Sequence, residues 1–325
     1  MYKRMTLVIL ILLSISTGAF AQKDSKKDSK KKKAPPQGTP VLWQEPADIT
    51  SRDLLQGPGG EAIKPDLSRV TFIRDQMGGG FSINYRVTDG AGKVWVAKLG
   101  KEAQPETASS RLVWAVGYMT EINYLVPCVH IQGAPEPRYK VPRCEGDGFA
   151  NVKLEARPKG VKRLESWSWN KNAFSGTKEF QGMVVLMSLL NNWDLKDDNN
   201  KIIYVPASGN GGPELRYIIS DLGATFGKTG GIFSRNRNSV ESFASSKFVE
   251  GVQGGNVRFA YGGKNTGLFR NITLEQTRWI GSWLSRLTDQ QISDAFKAAN
   301  YSPEDVETLT HAVRARIEQL VNVQG

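Results

Sequence analysis

Histidine and cysteine are almost missing from this sequence: His130, His311, Cys128 and Cys144 are its whole supply. With no second cysteine pair and no clustered histidines, a zinc site lacks the ligands it needs. Neither histidine stands near a G-x-S-x-G elbow, and no H-E-x-x-H pattern occurs, which argues against a serine hydrolase and a zinc protease. Long apolar runs are scarce as well. The stretch from Leu7 to Ile15 falls short of the roughly 20 residues that span a bilayer, and no later run is long enough. Preceded by Lys3-Arg4 and followed by Ala19-Phe20-Ala21, it has the three parts of a secretory signal, so residues 1–21 are expected to be cleaved. The mature chain is then expected to be exported, periplasmic or secreted, with no transmembrane segment. No cysteine stands near the cleavage site to carry a lipid.

Acidic residues are sparse between Lys23 and Lys33, where two aspartates face seven lysines, and Ala34 to Pro40 is rich in proline and glycine. Such a stretch cannot bury apolar surface, and residues 22–64 read as a disordered linker. The lysine run is a solvated spacer in the simpler reading and a contact for an anionic lipid or polymer surface in the sharper one. The leader and this run carry most of the formal net charge of +11, which leaves the rest mildly basic, and no nucleic-acid partner is expected. About 300 residues remain, enough for one two-lobed domain. In an oxidising compartment Cys128 and Cys144 either pair or stay as two free thiols.

The remaining chain divides by its periodicity. Val70 to Ile73, Asn84 to Val87 and Val94 to Lys98 have strand character, with glycines at the first turn and Asp89-Gly90 at the second. Pro105 stands where a first helical position is expected, and the apolar spacing of Ala108, Leu112, Ala115 and Val116 predicts a helix stopping at Gly117. Tyr124 to Ile131 and Asn151 to Ala156 are strand-like. Lys178 to Asn191 is helical, with Phe180, Met183, Val184, Met187 and Leu190 on one face. A hairpin follows, Lys201 to Val205 and Leu215 to Ser220. Residues 227–267 show little periodicity and read as long loops. Thr273 with Gln276, Thr288 with Gln291, and Ser302 ahead of Pro303 and Asp305 start three closing helices. The expected fold class is α+β: a small β-rich half with one helix over residues 65–157, then a larger, mainly helical half over 158–325.

Chemistry concentrates in Asn191 to Asn200 and in Tyr217 to Gly223. Phosphoryl transfer needs a carboxylate for the attacking hydroxyl, a cation near the developing charge and oxygen ligands for a divalent metal. Asp194, Lys196, Asn199 and Asp221 supply these groups, with Asp194 to Asn199 spaced as D-x-K-x-x-N after a helix and Asp221-Leu222-Gly223 after a strand. In this respect the sequence resembles the protein-kinase-like superfamily. It is more similar to the atypical branches, the HipA-type bacterial kinases, phosphoinositide kinases and secreted kinases, than to ordinary Ser/Thr kinases. Asp221-Leu222-Gly223-Ala224-Thr225-Phe226-Gly227 has the D-x-G-x-x-F-G form of some of those branches.

The resemblance covers roughly residues 70–221 and implies a two-lobed kinase-like fold that binds ATP or another nucleotide with Mg2+ or Mn2+. It implies that Asp194 is the catalytic base and Lys196 stabilises the transferred group. Asn199 and Asp221 would hold the metal, and Lys98 of Val96-Ala97-Lys98 the phosphates. Glu106 would pair with Lys98, Glu102 and Glu121 being the other candidates, and Gly78, Gly79 and Gly80 would cover the phosphates. The phosphoacceptor is not legible. Trp193 replaces the usual histidine before the aspartate, and no A-P-E motif follows Asp221. The alternative is an inactive, scaffold-type envelope protein. Trp167, Trp169, Trp279 and Trp283 read as packing residues, and Arg235 and Arg237 as members of a solvated loop.

Overall fold

The computed structural model of this protein describes residues 35–76, 82–207, 209, 211–231 and 233–325. The expected leader, the lysine run and Gly78 to Gly80 therefore lie outside the described residues. After a short strand β1 (Thr39–Val41) come β2 (Val70–Asp75), β3 (Ile83–Thr88), β4 (Val94–Leu99) and helix α1 (Ala103–Ala115). With β5 (Asn123–Val129), β6 (Ile131–Gln132) and β7 (Phe149–Ala156) they form a six-stranded sheet in the order β5-β7-β4-β3-β2-β6. Along β3 the two-residue period is plain: Ile83, Tyr85 and Val87 are buried, and the residues between them are half-buried. Strand β4 is central and buried from Trp95 to Leu99, which is how a lysine at position 98 comes to be sealed from water. Cys128 and Cys144 are paired, tying β5 to the loop ahead of β7.

Helix α1 begins at Ala103, two residues before the expected start. Pro105 then occupies the third helical position, where the backbone N–H has no intrahelical partner to lose. Beyond β7 follow β8 (Lys162–Arg163), α2 (Lys178–Leu189), β9 (Asn200–Val205) and β10 (Glu214–Ile219), then α3 (Val240–Ala244), β11 (Val249–Gln253) and β12 (Asn256–Phe259). The chain closes with α4 (Leu274–Leu284), α5 (Asp289–Lys297) and α6 (Pro303–Asn322). Both Thr273/Gln276 and Thr288/Gln291 make reciprocal capping boxes, and the Ser302 hydroxyl accepts from the Asp305 N–H. The second sheet runs β1-β10-β9-β8.

Two apolar cores result. The smaller gathers Val70, Tyr85, Val87, Trp95, Ala97, Val152 and Leu154 within the six-stranded sheet. The larger surrounds α2 and takes in Trp167, Trp169, α4 to α6, and the Ala108 and Leu112 side of α1. The architecture is α+β in two lobes, with α1 contributing to the larger core while carrying its charged side toward the sheet.

Two expectations are corrected. Residues 22–64 are not a linker throughout: Thr39–Val41 pairs in parallel with β10, and Leu42, Ile49 and Leu54 are buried in the larger core. Composition misleads there because the apolar residues are few and unperiodic, and the partner that buries them is remote in sequence. Residues 227–267 are not loops alone, since they contain α3 and the β11/β12 hairpin. The hairpin turns on Gly254-Gly255, both at positive φ (57° and 78°), a conformation that glycine adopts without strain.

Candidate active site

Lys98 and Lys153 stand directly opposite each other on β4 and β7. Two buried like charges in that register repel, so something must sit between them. Glu106 of α1 does: its Oε2 is 2.6 Å from the Lys98 Nζ, and its Oε1 bonds the Lys153 Nζ. The three side chains are 3%, 7% and 2% exposed for Glu106, Lys98 and Lys153. Lys98 is also 3.1 Å from Glu102 Oε2 and 3.1 Å from Asp221 Oδ1, and Lys153 continues to Glu155 Oε2 at 3.0 Å. Glu155 in turn meets Arg157 and, at 3.4 Å, Arg163, which also pairs with Glu121. Of the three carboxylates weighed for Lys98, two therefore reach it and Glu121 serves another partner.

Burial works against the Lys98 charge, but Asp221 and Glu106 outweigh it and hold the ammonium well above its ordinary value. Burial likewise pushes the Asp221 carboxyl up, yet Lys98 and the Gly223 N–H leave it below the usual carboxylate range. Asp221 follows β10 and is held by the backbone around it: its own N–H and that of Ser220 both donate to the Asn199 carbonyl, at 3.1 and 2.7 Å. A hydroxyl pair, Ser109 with Thr225 at 2.8 Å, fixes the segment after Asp221 to α1.

The Asn199 carbonyl leads to the second cluster. Two residues past the end of α2, Asn191 has a positive φ of 53° and its amide donates to the Gly227 carbonyl at 2.7 Å. The buried Arg316 guanidinium of α6 closes the helix end by donating to the Leu189 carbonyl (2.6 Å) and Asn191 Oδ1 (3.0 Å). Asp194 follows, its Oδ2 2.8 Å from the Lys196 Nζ and 3.3 Å from the Asn199 amide nitrogen, which also donates to the Asp194 carbonyl at 2.6 Å. The hydrogen bond from Lys196 to Asp194 holds the Lys196 ammonium above its ordinary value. Lys264 lies 3.2 Å from Asp194 Oδ1. A groove of about 490 Å³ opens here between Asn170, Lys196, Asp198 and Lys264. A second groove, about 630 Å³ between α5 and α6, holds none of these residues.

The structure thus brings Lys98, Glu106 and Asp221 onto one ammonium and Asp194, Lys196 and Asn199 into one loop, with Asn199 joining the two. Lys153, Glu155 and Lys264 are members that reading the sequence missed. For the first two a signal existed: Lys153, Glu155 and Arg157 alternate with Leu154 and Ala156, so three charges share one face of a buried strand. Nothing local marks Lys264. Arg235 and Arg237 are not merely solvated, since both lie over the Trp193 ring, 4.4 and 4.7 Å from its centroid, and Arg237 pairs with Glu102.

No family model matches the chain, and no curated protein matches it either. Among solved structures it is similar to a Helicobacter pylori proinflammatory kinase, CtkA, at 12% identity and a TM-score of 0.46, over 77% of this chain and 95% of that one. It is also similar to the Golgi casein kinase, at 9% identity and a TM-score of 0.40, over 79% of this chain and 74% of that one. A structure of the Golgi casein kinase with Mn/ADP bound matches at 10% identity and a TM-score of 0.37, over 79% and 73% of the two chains.

Proposed function

We propose that this protein is an exported, kinase-type phosphotransferase that moves a phosphoryl group from a metal-bound nucleotide, ATP or another, to a hydroxyl acceptor. One observation carries the reading: Lys98, Glu106 and Asp221, far apart in sequence, share an ion-pair node in which Lys98 and Glu106 are buried and Asp221 reaches the surface, joined through Asn199 to the Asp194 loop. A surface lysine on an edge strand would need no such carboxylates.

In this reading Lys98 receives the nucleotide's phosphates, exchanging its contact with Asp221 for theirs, while Glu106 keeps the ammonium in place. Gly78 to Gly80 would lie over the same phosphates. The donors suit a hard divalent cation. Asn199 commits its amide nitrogen to Asp194, which leaves its Oδ1 for a metal, and Asp221 offers a carboxylate whose side chain is 40% exposed. Among the described residues no group of three or more His, Cys, Asp or Glu side chains could hold an ion, so the nucleotide's oxygens would complete the shell. An ion so held neutralises charge on the phosphates. Asp194 Oδ2 is taken up by Lys196 and the Asn199 amide, whereas Oδ1 is buried and has, among the described residues, the Lys264 ammonium 3.2 Å away. Oδ1 is the atom that takes the acceptor's proton as the acceptor oxygen bonds phosphorus and the bond to the leaving nucleotide breaks. Lys196 faces the charge on the moving group.

The test is a thermal melt of the mature chain with ATP, GTP or ADP and Mg2+, Mn2+ or chelator, beside transfer assays. A ligand bound only by the folded state raises the melting point. Asp221→Ala is expected to abolish the metal-dependent shift, and Asp194→Ala to keep the shift and lose transfer. No shift with any nucleotide and metal would replace the enzyme by a scaffold of the same fold.

A further inference from the structure

Lys264 lies in a segment without periodicity, 70 residues beyond Asp194, yet its placement is fixed from several sides. The Lys264 N–H donates to the Trp193 carbonyl at 2.8 Å, and the Asn265 amide donates to the Leu195 carbonyl at 2.6 Å. The Tyr261 hydroxyl, which can donate only one proton, lies 2.8 Å from the Asn192 carbonyl and 3.1 Å from the Lys264 carbonyl. Residues 261–265 are therefore strapped along residues 192–195, the stretch that sets the Asp194 carboxylate. Gly263 makes the approach feasible: a Cβ there would stand 2.6 Å from the Trp193 Cα, a distance real side chains do not show. From this strap the Lys264 side chain, 40% exposed, reaches Asp194 Oδ1, while Lys196 takes Oδ2. Each carboxylate oxygen has one lysine, and both lysines line the same groove.

We propose that Lys264 is a positioning residue for phosphoryl transfer, holding the Asp194 carboxylate from the groove side, and that the acceptor hydroxyl enters through the groove which Lys264 and Lys196 line. This rests on the phosphotransferase reading above. A carboxylate held through Oδ2 alone, by Lys196 and the Asn199 amide, can swing about its Cβ–Cγ bond; the second cation on Oδ1, fixed to the backbone of the same loop, removes that freedom. Because the Lys264 side chain is 40% exposed, the ion pair adds little to folding, so its loss is expected to register in turnover and not in stability.

The test uses the mature chain with ATP and Mg2+ or Mn2+, following hydrolysis, in which water is the acceptor, and incorporation of phosphate into the protein itself. Lys264→Met is expected to lower kcat about tenfold or more, since misplacing a reacting group by about 1 Å can cost about 100-fold. KM for ATP and the nucleotide-dependent melting shift stay as in the parent, and Lys264→Arg recovers most of the rate. Gly263→Ala keeps the lysine but displaces the strap, and its kcat is expected to fall likewise. A Lys264→Met protein with parental or higher kcat overturns the inference while leaving the phosphotransferase reading intact, and so does a loss that tracks nucleotide binding. A parental protein that binds nucleotide but transfers phosphate to neither acceptor overturns both.

Discussion

Glu155 shows how a buried charge in this protein answers to pH. Burial pushes its carboxyl up, but Lys153 and Arg157 more than offset this and hold it below its ordinary value of 4.5. A depressed carboxylate binds fewer protons folded than unfolded, so its stabilising contribution is present above pH 4.5 and is lost as pH falls through the folded value. Lys98 runs the other way: raised above its ordinary 10.5, it contributes fully below that pH and loses its contribution as pH climbs past it. The expectation is a broad plateau bounded by an acid fall below pH 4.5. Urea midpoints measured across pH 3 to 8 check it. Glu155→Gln, less stable at neutral pH, should show a shallower acid fall than the parent, and an unchanged slope would mean that other carboxylates govern it.

At the scale of elements, the packing of α2 against α4 gives the sharpest expectation. Gly182 lies where a Cβ would come 2.5 Å from the Trp279 ring and 2.7 Å from the Tyr118 hydroxyl, which donates to the Glu179 carbonyl. Gly182→Ala gains helix propensity of about 1 kcal/mol but must push the indole or the helix aside, and overpacking of this kind costs about 1–3 kcal/mol. A net loss of stability is expected in chemical denaturation; a gain would mean that Trp279, half-buried, yields freely. Elements were largely legible from the sequence because each carries its own signal: the alternation of β3, the apolar face of α2, and the threonine and glutamine caps of α4 and α5. Their order brought Lys98, Glu106, Asp194, Asn199 and Asp221 into view as candidates. The β11/β12 hairpin had a signal in Gly254-Gly255 that its polar flanks concealed. Lys264 joins the site only through a strap made across the fold, which no local pattern encodes, whereas Lys153 had a signal in its alternation with Leu154 and Ala156, and Glu102 was among the carboxylates weighed for Lys98.

For the whole molecule, the segment from Thr39 to Ile63 has the greatest consequence. It touches both halves: β1 extends the β10 edge, the Trp43 indole N–H donates to the Val116 carbonyl at 2.7 Å just past α1, and the Trp43 ring meets Trp279 and Trp283 of α4 edge-on at 5.3 and 5.5 Å. The Gln291 amide of α5 lies 2.9 Å from the Ile49 and Arg52 carbonyls, and Gly57 packs against the buried Arg111 of α1. Leu42, Ile49 and Leu54 are 2%, 4% and 1% exposed, and burying an aliphatic side chain of this size is worth about 1.5–3 kcal/mol. Three of them approach the whole net stability of an ordinary domain, about 5–15 kcal/mol, before the tryptophan contacts are counted. A chain starting at residue 65, the boundary that composition alone suggests, is therefore expected to fail to fold or to melt far below a chain starting at residue 22, whereas a chain starting at residue 37 should melt with it. Circular dichroism melts of the three chains side by side decide the matter. If the shortest chain melted within a few degrees of the longest, the segment would be an ornament on an independent fold, and its contacts to α1, α4 and α5 would contribute nothing to holding Glu106 against Lys98.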